Sequence, residues 1–395
     1  MITSIWIDNF KSLVNFELSL AKFTCLVGLN GAGKSTVLQA VDFISQLMLG
    51  DLEGWLKQRQ WDKTDINSKL SKRSNIEFKI TLKDANFGTL VWSGSVNRTT
   101  LSCTQEHVTA NGTTQLRVEE GYYSLVNPAA VQKNLERSKI VFEYQGSILS
   151  ALKDSQLSHV LLAVKSAIIQ IHSLDLLSPE LLRSKTRGAE GHLGLGGERL
   201  SAYIHEASPE QKESLRQKLS AVYQQLEKIE TRALRSGWKQ LDIVERFGEQ
   251  ELKTPARHMN DGMLRLMAIL SQLASKHHFL LFDEIENGIN PELVEYLVDQ
   301  LVSSDHQVMV TTHSPVIINY MDDSVAAESV VYLYKTHEGF TRSIKLFSIP
   351  SLKEKLQFMG PGEAFIDTDL THLYQEIESL QKPSKGGMDA SSTER

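Results

Sequence analysis

The chain has 395 residues, 41% hydrophobic and 23% charged, with a formal net charge of −6; this suits a large core in two or three subdomains and excludes a global positive field that recruits nucleic acid. Its two cysteines, Cys25 and Cys103, exclude a disulfide framework or a cysteine-built metal site and suit a reducing compartment. The start carries charge early and lacks a signal-peptide core, and no run approaches the ~20 uncharged apolar residues of a membrane span, so a cytoplasmic protein with no membrane partner is expected.

Residues 2–7 and 16–20 are strand-like and flank Asn9-Phe10-Lys11-Ser12. They predict a hairpin leading into a third, apolar strand over 23–27. Gly28-Leu29-Asn30-Gly31-Ala32-Gly33-Lys34-Ser35-Thr36 follows directly and fits the phosphate-cradling pattern G-x-x-x-x-G-K-[ST]. A triphosphate needs several backbone N–H donors turned toward one point, and a glycine-rich turn lets the main chain come that close. Gly28, Asn30, Gly31, Ala32 and Gly33 then form the cradle. Lys34 reaches the β- and γ-phosphates, Ser35 offers its hydroxyl to Mg²⁺, and Thr36 completes a helix start whose positive end faces the anion. Val37, Val41, Ile44 and Met48 recur at helical spacing behind it, so an amphipathic helix follows. The bare pattern also arises by chance; the strand before it and the helix after it give it weight.

Residues 52–73 are charged and contain tryptophan, and read as a surface excursion. From 75 to about 118 the pattern alternates, most cleanly in Ile76-Glu77-Phe78-Lys79-Ile80-Thr81-Leu82, and Asn111-Gly112 is a hairpin signal. An antiparallel sheet with one wet face is expected. Residues 146–172 look helical and the glycine-rich 187–197 reads as a loop. Ser208-Pro209-Glu210-Gln211 opens a charged helix that is expected to run to about 235, too short for a long coiled-coil arm. Residues 262–275 read as an apolar helix, 279–282 as a buried strand, 291–302 as a helix and 307–312 as another strand. The tail beyond about 381 is rich in Ser, Gly and Lys and reads as disordered.

His278-Phe279-Leu280-Leu281-Phe282-Asp283-Glu284 is an apolar strand ending in two carboxylates. Asp283 can serve Mg²⁺, and Glu284 can orient and deprotonate a water against a γ-phosphate. Thr311-Thr312-His313-Ser314-Pro315 closes another apolar strand. A histidine there can donate to a γ-phosphate, although alone it is more often structural. Asn260-Asp261-Gly262-Met263-Leu264-Arg265 sets a polar cap and a glycine at a helix start, an anion site in principle and in isolation a plain cap.

As an ordered set these motifs resemble the ABC-type ATPase heads of the SMC, RecF and overcoming-lysogenisation-defect (OLD) group. Leu174-Asp175-Leu176-Leu177-Ser178-Pro179-Glu180-Leu181-Leu182-Arg183 and Gly197-Glu198-Arg199-Leu200-Ser201-Ala202-Tyr203-Ile204-His205 further resemble the compact bacterial AAA-type members of that group. The resemblance covers most of residues 1–345. It implies an α/β P-loop head with a mixed central sheet, an antiparallel β subdomain and a short helical insertion. The implied division is an N-terminal ATPase lobe over 1–50, a β-rich insertion over 51–135, a helical subdomain with a short arm over 136–250, a C-terminal ATPase lobe over 251–345, a helical extension over 346–380 and a disordered tail over 381–395.

The resemblance also implies ATP hydrolysis with Mg²⁺ between two heads, each ATP lying on one phosphate loop and closed by the signature of the other. Asn260 and Gly262 would contact the γ-phosphate in trans. Ser35 and Asp283 would serve Mg²⁺, with Glu284 on the attacking water and His313 on the γ-phosphate. Glu286 to Asn290, with Asn287, Gly288 and Asn290 foremost, would be the D-loop crossing the dimer interface. Gln145 is preferred over Gln132 as the Q-loop glutamine. The sequence departs from the pattern in having Asn260 where Ser is usual and Asn290 where His is frequent. It also lacks a Toprim-like acidic cluster after His313.

Compact proteins of this kind resemble components of anti-phage defence. The leading expectation is a homodimeric or larger ATPase that gates a separate nuclease or toxin. The alternative is a RecF-like module that clamps DNA, with Lys57, Arg59, Lys63, Lys69, Lys72 and Arg73 as its contact. Interspersed Asp51, Glu53, Asp62 and Asp65 favour a solvated face there. A transporter subunit is disfavoured by the β-rich insertion between Lys34 and Asp283 and by the lack of a Leu-Ser-Gly-Gly-Gln signature.

Overall fold

A computed structural model describes residues 1–126, 135–174 and 177–381. Asp175 and Leu176, Gln132 and the tail from 382 lie outside the described residues. In chain order the first half runs β1 (Ile2–Asp8), β2 (Phe16–Ser19), β3 (Phe23–Val27), α1 (Lys34–Leu49), α2 (Leu52–Gln58), β4 (Asn75–Asp84), β5 (Gly88–Asn97), β6 (Ser102–Ala110), β7 (Thr113–Glu119), β8 (Tyr122–Val126), β9 (Leu135–Lys139), α3 (Ile148–Ala151), α4 (His159–Ile169) and β10 (Ile171–Leu174). The second half runs α5 (Pro179–Leu182), α6 (Leu200–Glu206), α7 (Pro209–Ser220), β11 (Leu226–Ala233), β12 (Lys239–Phe247), β13 (Gln250–Pro255), α8 (Asp261–Gln272), β14 (Phe279–Phe282), α9 (Pro291–Val302), β15 (Gln307–Thr311), α10 (Val316–Asn319), α11 (Asp323–Ser329), β16 (Val330–Lys335), β17 (Thr341–Lys345), α12 (Pro350–Lys355), α13 (Pro361–Ile366) and α14 (Leu370–Gln381).

The central sheet has the order β10-β14-β15-β3-β16-β17, parallel except for β17. Its inner strands β3, β14 and β15 are buried along their whole length and are largely apolar. Alternate residues serve two cores. Leu26, Leu281, Met309 and Leu333 join α1, α4 and the large antiparallel sheet, while Cys25, Phe282, Val310 and Tyr332 join α8, α9 and the C-terminal helices. The phosphate-loop strand β3 thus lies between β15 and β16, with the acidic strand β14 next beyond β15. All three release their loops at the same carboxyl edge, where ligands bind in such sheets.

The second sheet has the order β2-β1-β4-β5-β6-β7-β8-β9. Here the expected division fails, because the N-terminal hairpin and the β-rich segment are one sheet. Ile5 pairs with Ile80 and Ile7 with Phe78, and these alternating apolar side chains share one buried face. Gln307 ties the hairpin to the central sheet: its Oε1 accepts from Ile2 N at 3.0 Å and its Nε2 donates to Ile2 O at 2.7 Å.

Three further expectations are corrected. The charged helix stops at Ser220, and residues 226–255 form a three-stranded antiparallel sheet in place of a helical arm. Burial of the central strand over Leu241, Ile243 and Val244 outweighs the charged composition, and Gly237 and Gly248 turn the chain between strands. Residues 52–73 do not simply lie on the surface, since Leu52, Trp55, Leu56 and Ile66 are buried. Arg59, also buried, pairs with Asp42 at 2.7 Å, and Asp42 accepts from Trp55 Nε1 at 2.6 Å. The helical stretch 146–172 breaks into α3, a 3₁₀ turn and α4, and its end becomes β10 beside β14.

Candidate nucleotide site

The loop after β3 is shaped by its glycines. Gly28 has φ 149° and a Cβ there would run into the Leu333 carbonyl oxygen. The helix α1 starts at Gly33 with no side-chain cap, so its first N–H groups are left to an anion. Ala32 O accepts from Thr341 Oγ1 at 2.9 Å, which pins the loop to β17. Leu29, Asn30 and Gly31 are exposed, and Gly33, Ser35 and Thr36 are half-buried.

Lys34 is buried. Its Nζ donates to Gly28 O at 2.8 Å, to Leu29 O at 3.3 Å and to His313 Nδ1 at 3.3 Å. Burial lowers its pKa, and the nearby Asp283, Glu284 and Glu286 carboxylates oppose that shift. An ammonium has no lone pair, so His313 Nδ1 is the acceptor and the imidazole proton sits on Nε2. Nε2 in turn meets Glu284 Oε1 at 3.0 Å. Lys34, His313 and Glu284 therefore form one chain of hydrogen bonds across the ends of β3, β15 and β14.

Thr311 organises the acidic end. Its Oγ1 donates to Asp283 and accepts from Glu284 N, and Glu284 sits at a left-handed φ of 46°. Arg265 holds the same turn from behind: buried in α8, it donates to the carbonyls of Asp283 and Glu284 at 2.9 Å each. Glu286 accepts from the His313 and Ser314 amides. Lys335 donates to Thr341 Oγ1 at 3.0 Å and lines the cavity. No residue-by-residue sequence signal separated Lys335 or Thr341 from ordinary strand residues. Arg265 was visible as a cation on an apolar helix.

An open cavity of about 520 Å³ is lined by Ser12, Asn30, Gly31, Gly33, Lys34, Ser35, Thr36, Glu284, His313 and Lys335. The signature residues do not line it. Asn260 is exposed and caps α8, its Oδ1 accepting from Met263 N at 2.7 Å. A Cβ on Gly262 would lie 2.8 Å from Gly288 O, so the signature start abuts the D-loop, where Asn287, Gly288 and Asn290 are exposed. Arg183, from the Leu174–Arg183 segment, braces this end by donating to Met259 O at 2.8 Å and pairing with Asp261.

Gln145, expected as the Q-loop glutamine, does not line this cavity. Ser147 N donates to Leu47 O at 2.7 Å and Gln145 Oε1 accepts from Glu53 N, at the far end of a helix that at ~1.5 Å per residue is roughly 24 Å long. The basic run is also dispersed: Arg59 pairs with Asp42, Lys63 with Glu53 and Arg73 with Asp8.

Among the described residues no group of three His, Cys, Asp or Glu side chains could hold a metal by itself. The donors present, one hydroxyl from Ser35 and one carboxylate from Asp283, fit Mg²⁺, which takes few protein ligands and completes its shell with phosphate oxygens and water. No helix among the described residues is long and apolar enough to cross a membrane.

The profile of the family described as "AAA domain, putative AbiEii toxin, Type IV TA system" matches residues 116–319, over half of the chain. That of the family described as "AAA ATPase domain" matches residues 1–172. A stretch of 52 residues is 42% identical to the OLD nuclease of Thermus scotoductus, covering 13% of this chain and 9% of that protein. The fold is similar to an SMC head solved with the C-winged helix domain of ScpA, at TM-score 0.52 and 17% identity, covering 87% of this chain and 96% of that one. It is likewise similar to an SMC head with an extended coiled coil bound to the C-terminal domain of ScpA from Pyrococcus furiosus, at TM-score 0.51 and 16% identity, covering 90% and 99%. The chain belongs to the first of these AAA-domain families, with a fold similar to that of SMC heads.

Proposed function

We propose that this protein binds and hydrolyses ATP, that two copies close head to head on the nucleotide, and that the closed state gates a separate effector. The observation that carries this is the half-built site. Lys34, Glu284 and His313 face one cavity, while Asn260 and the exposed D-loop residues form a separate surface backed by the buried Gly262. A second copy supplies what the first lacks.

In this scheme the loop amides and Lys34 hold the phosphates. Lys34 leaves the Gly28 and Leu29 carbonyls, and His313 Nε2 turns from Glu284 to the γ-phosphate. The freed Glu284 carboxylate takes a proton from water as its oxygen bonds to the γ-phosphorus and the bond to the β–γ bridging oxygen breaks, giving ADP and phosphate. Mg²⁺, held by Ser35 and Asp283, would neutralise charge on the β- and γ-oxygens. Asn260 suits closure in trans: its oxygen caps the helix and its amide N–H₂ is left to donate.

The effector is proposed to be a nuclease or toxin and the setting defence against phage. Support comes from the relative named as a nuclease and from the toxin–antitoxin wording of the family description. DNA clamping draws no support from residues 57–73, where half of the basic side chains are already paired. Glu284→Gln should bind ATP, lose turnover and accumulate ATP-bound dimers in analytical ultracentrifugation. Turnover at the wild-type rate, or a variant that stays monomeric with saturating ATP, would refute the scheme.

A further inference from the structure

The geometry points to Glu286 as the positioning residue for His313, clamping the turn that carries the imidazole onto the D-loop. This rests on His313 being the γ-phosphate contact, as proposed above. Three donors from successive residues converge on one oxygen of Glu286: Oε1 accepts from Thr312 Oγ1 at 2.9 Å, His313 N at 2.8 Å and Ser314 N at 3.2 Å. These are charge-assisted bonds in a partly buried place and are stronger than neutral ones.

The imidazole cannot be fixed by packing, because the His313 side chain is 39% exposed. Its ring is held by the hydrogen bonds to Lys34 and Glu284, which it reaches only where its turn sets it between them, and the described hydrogen bond of the His313 amide is the one to Glu286. The main chain of Glu286 belongs to the other loop. Its carbonyl accepts from Ile289 N at 3.1 Å, and Asn287 N donates to Glu284 O at 3.0 Å, so residues 284–289 form one hydrogen-bonded turn. One residue thus has its backbone in the D-loop and its carboxylate in the His313 turn. A partner pressing on Asn287, Gly288 and Asn290 would move both together.

The test uses the full-length protein. In the nucleotide-free state, imidazole ¹⁵N spectra assigned with His313→Gln should show wild-type His313 as one tautomer, protonated on Nε2. Glu286→Ala should give the averaged signals of a free imidazole, and Glu286→Gln, which keeps the acceptor, should stay close to wild type. Should the alanine variant not fold, Glu286→Asp keeps the charge, withdraws the acceptor by one methylene and should also average the signals. Unchanged His313 signals in Glu286→Ala or Glu286→Asp would overturn the proposal.

Turnover gives a second reading. Glu286→Ala should lower kcat by about 100-fold, the order expected for a misplaced catalytic group, at unchanged ATP affinity. In a His313→Ala background the same change should cost little more, because the two act as a unit. An equal loss in both backgrounds would mean that Glu286 acts elsewhere. If the wild-type protein hydrolyses no ATP, the proposed function fails while the imidazole spectra still decide the role of Glu286.

Discussion

Gly28 and Gly31 belong to one loop yet answer to different constraints. Gly28 is held by space as well as by φ, with the Leu333 carbonyl where a side chain would go, while Gly31 has φ 79° and nothing within 4 Å. Gly28→Ala should therefore destabilise the fold by about 1–3 kcal/mol and abolish nucleotide binding. Gly31→Ala should cost roughly 1 kcal/mol through backbone strain alone. Chemical denaturation with calorimetric ATP titration separates the two, and equal losses would show that the Leu333 contact is unimportant. The glycine spacing announced a tight loop, yet which glycine meets a neighbour depends on a strand some 300 residues later. Lys34, Glu284 and His313 were legible singly, each from its strand end. Their hydrogen-bonded chain was not, because it requires β15 to lie between β14 and β3.

Among the elements, α8 is the clearest test of a terminus that serves both fold and site. Asn260 caps it through Met263 N, so Asn260→Ala should cost about 1 kcal/mol of stability. Asn260→Asp keeps the cap and suits the positive helix end, but turns a carboxylate toward a partner's phosphate. It should melt like wild type and fail to dimerise with ATP; dimerisation intact would remove Asn260 from the trans contact. The edge strand β10 has a pH limit. His172 stacks on His277 at 4.4 Å, and burial, with His277 and His192 nearby, lowers its pKa to about 3. The unfolded chain takes up this proton near pH 6.5 while the folded one resists until about pH 3, so stability falls as pH drops through that window. Thermal melts from pH 7 to pH 4 should show it, and His172→Gln should weaken the dependence; an unaltered dependence would place the acid sensitivity elsewhere.

At the scale of the molecule, two cores share one sheet, and contacts between distant parts of the chain close it. Gln307 joins the first and last thirds through Ile2, and Thr341 joins β17 to the phosphate loop. Nucleotide should thus stabilise the whole fold, by about 2.7 kcal/mol at a hundredfold excess over Kd. In Glu284→Gln, where closed dimers accumulate, the ATP-induced rise in Tm should also grow with protein concentration. A rise independent of concentration would mean that ATP binds single heads without closing them.

What the sequence determined by itself is local. The phosphate loop, the acidic and histidine strand ends, and the helices read over 262–275 and 291–302 rest on contacts within a few residues, so their chemistry is spelled where it acts. What tertiary structure decided is pairing. It joined the N-terminal hairpin to β4 and cut short the helix expected to run to about 235, whose last part became the first strand of a small sheet over 226–255. It also carried Gln145 to the far end of α1 and set the signature beside the D-loop, away from its own phosphate loop. These outcomes depend on which distant apolar faces bury one another, and a strand pattern shows that a face exists without showing what will cover it.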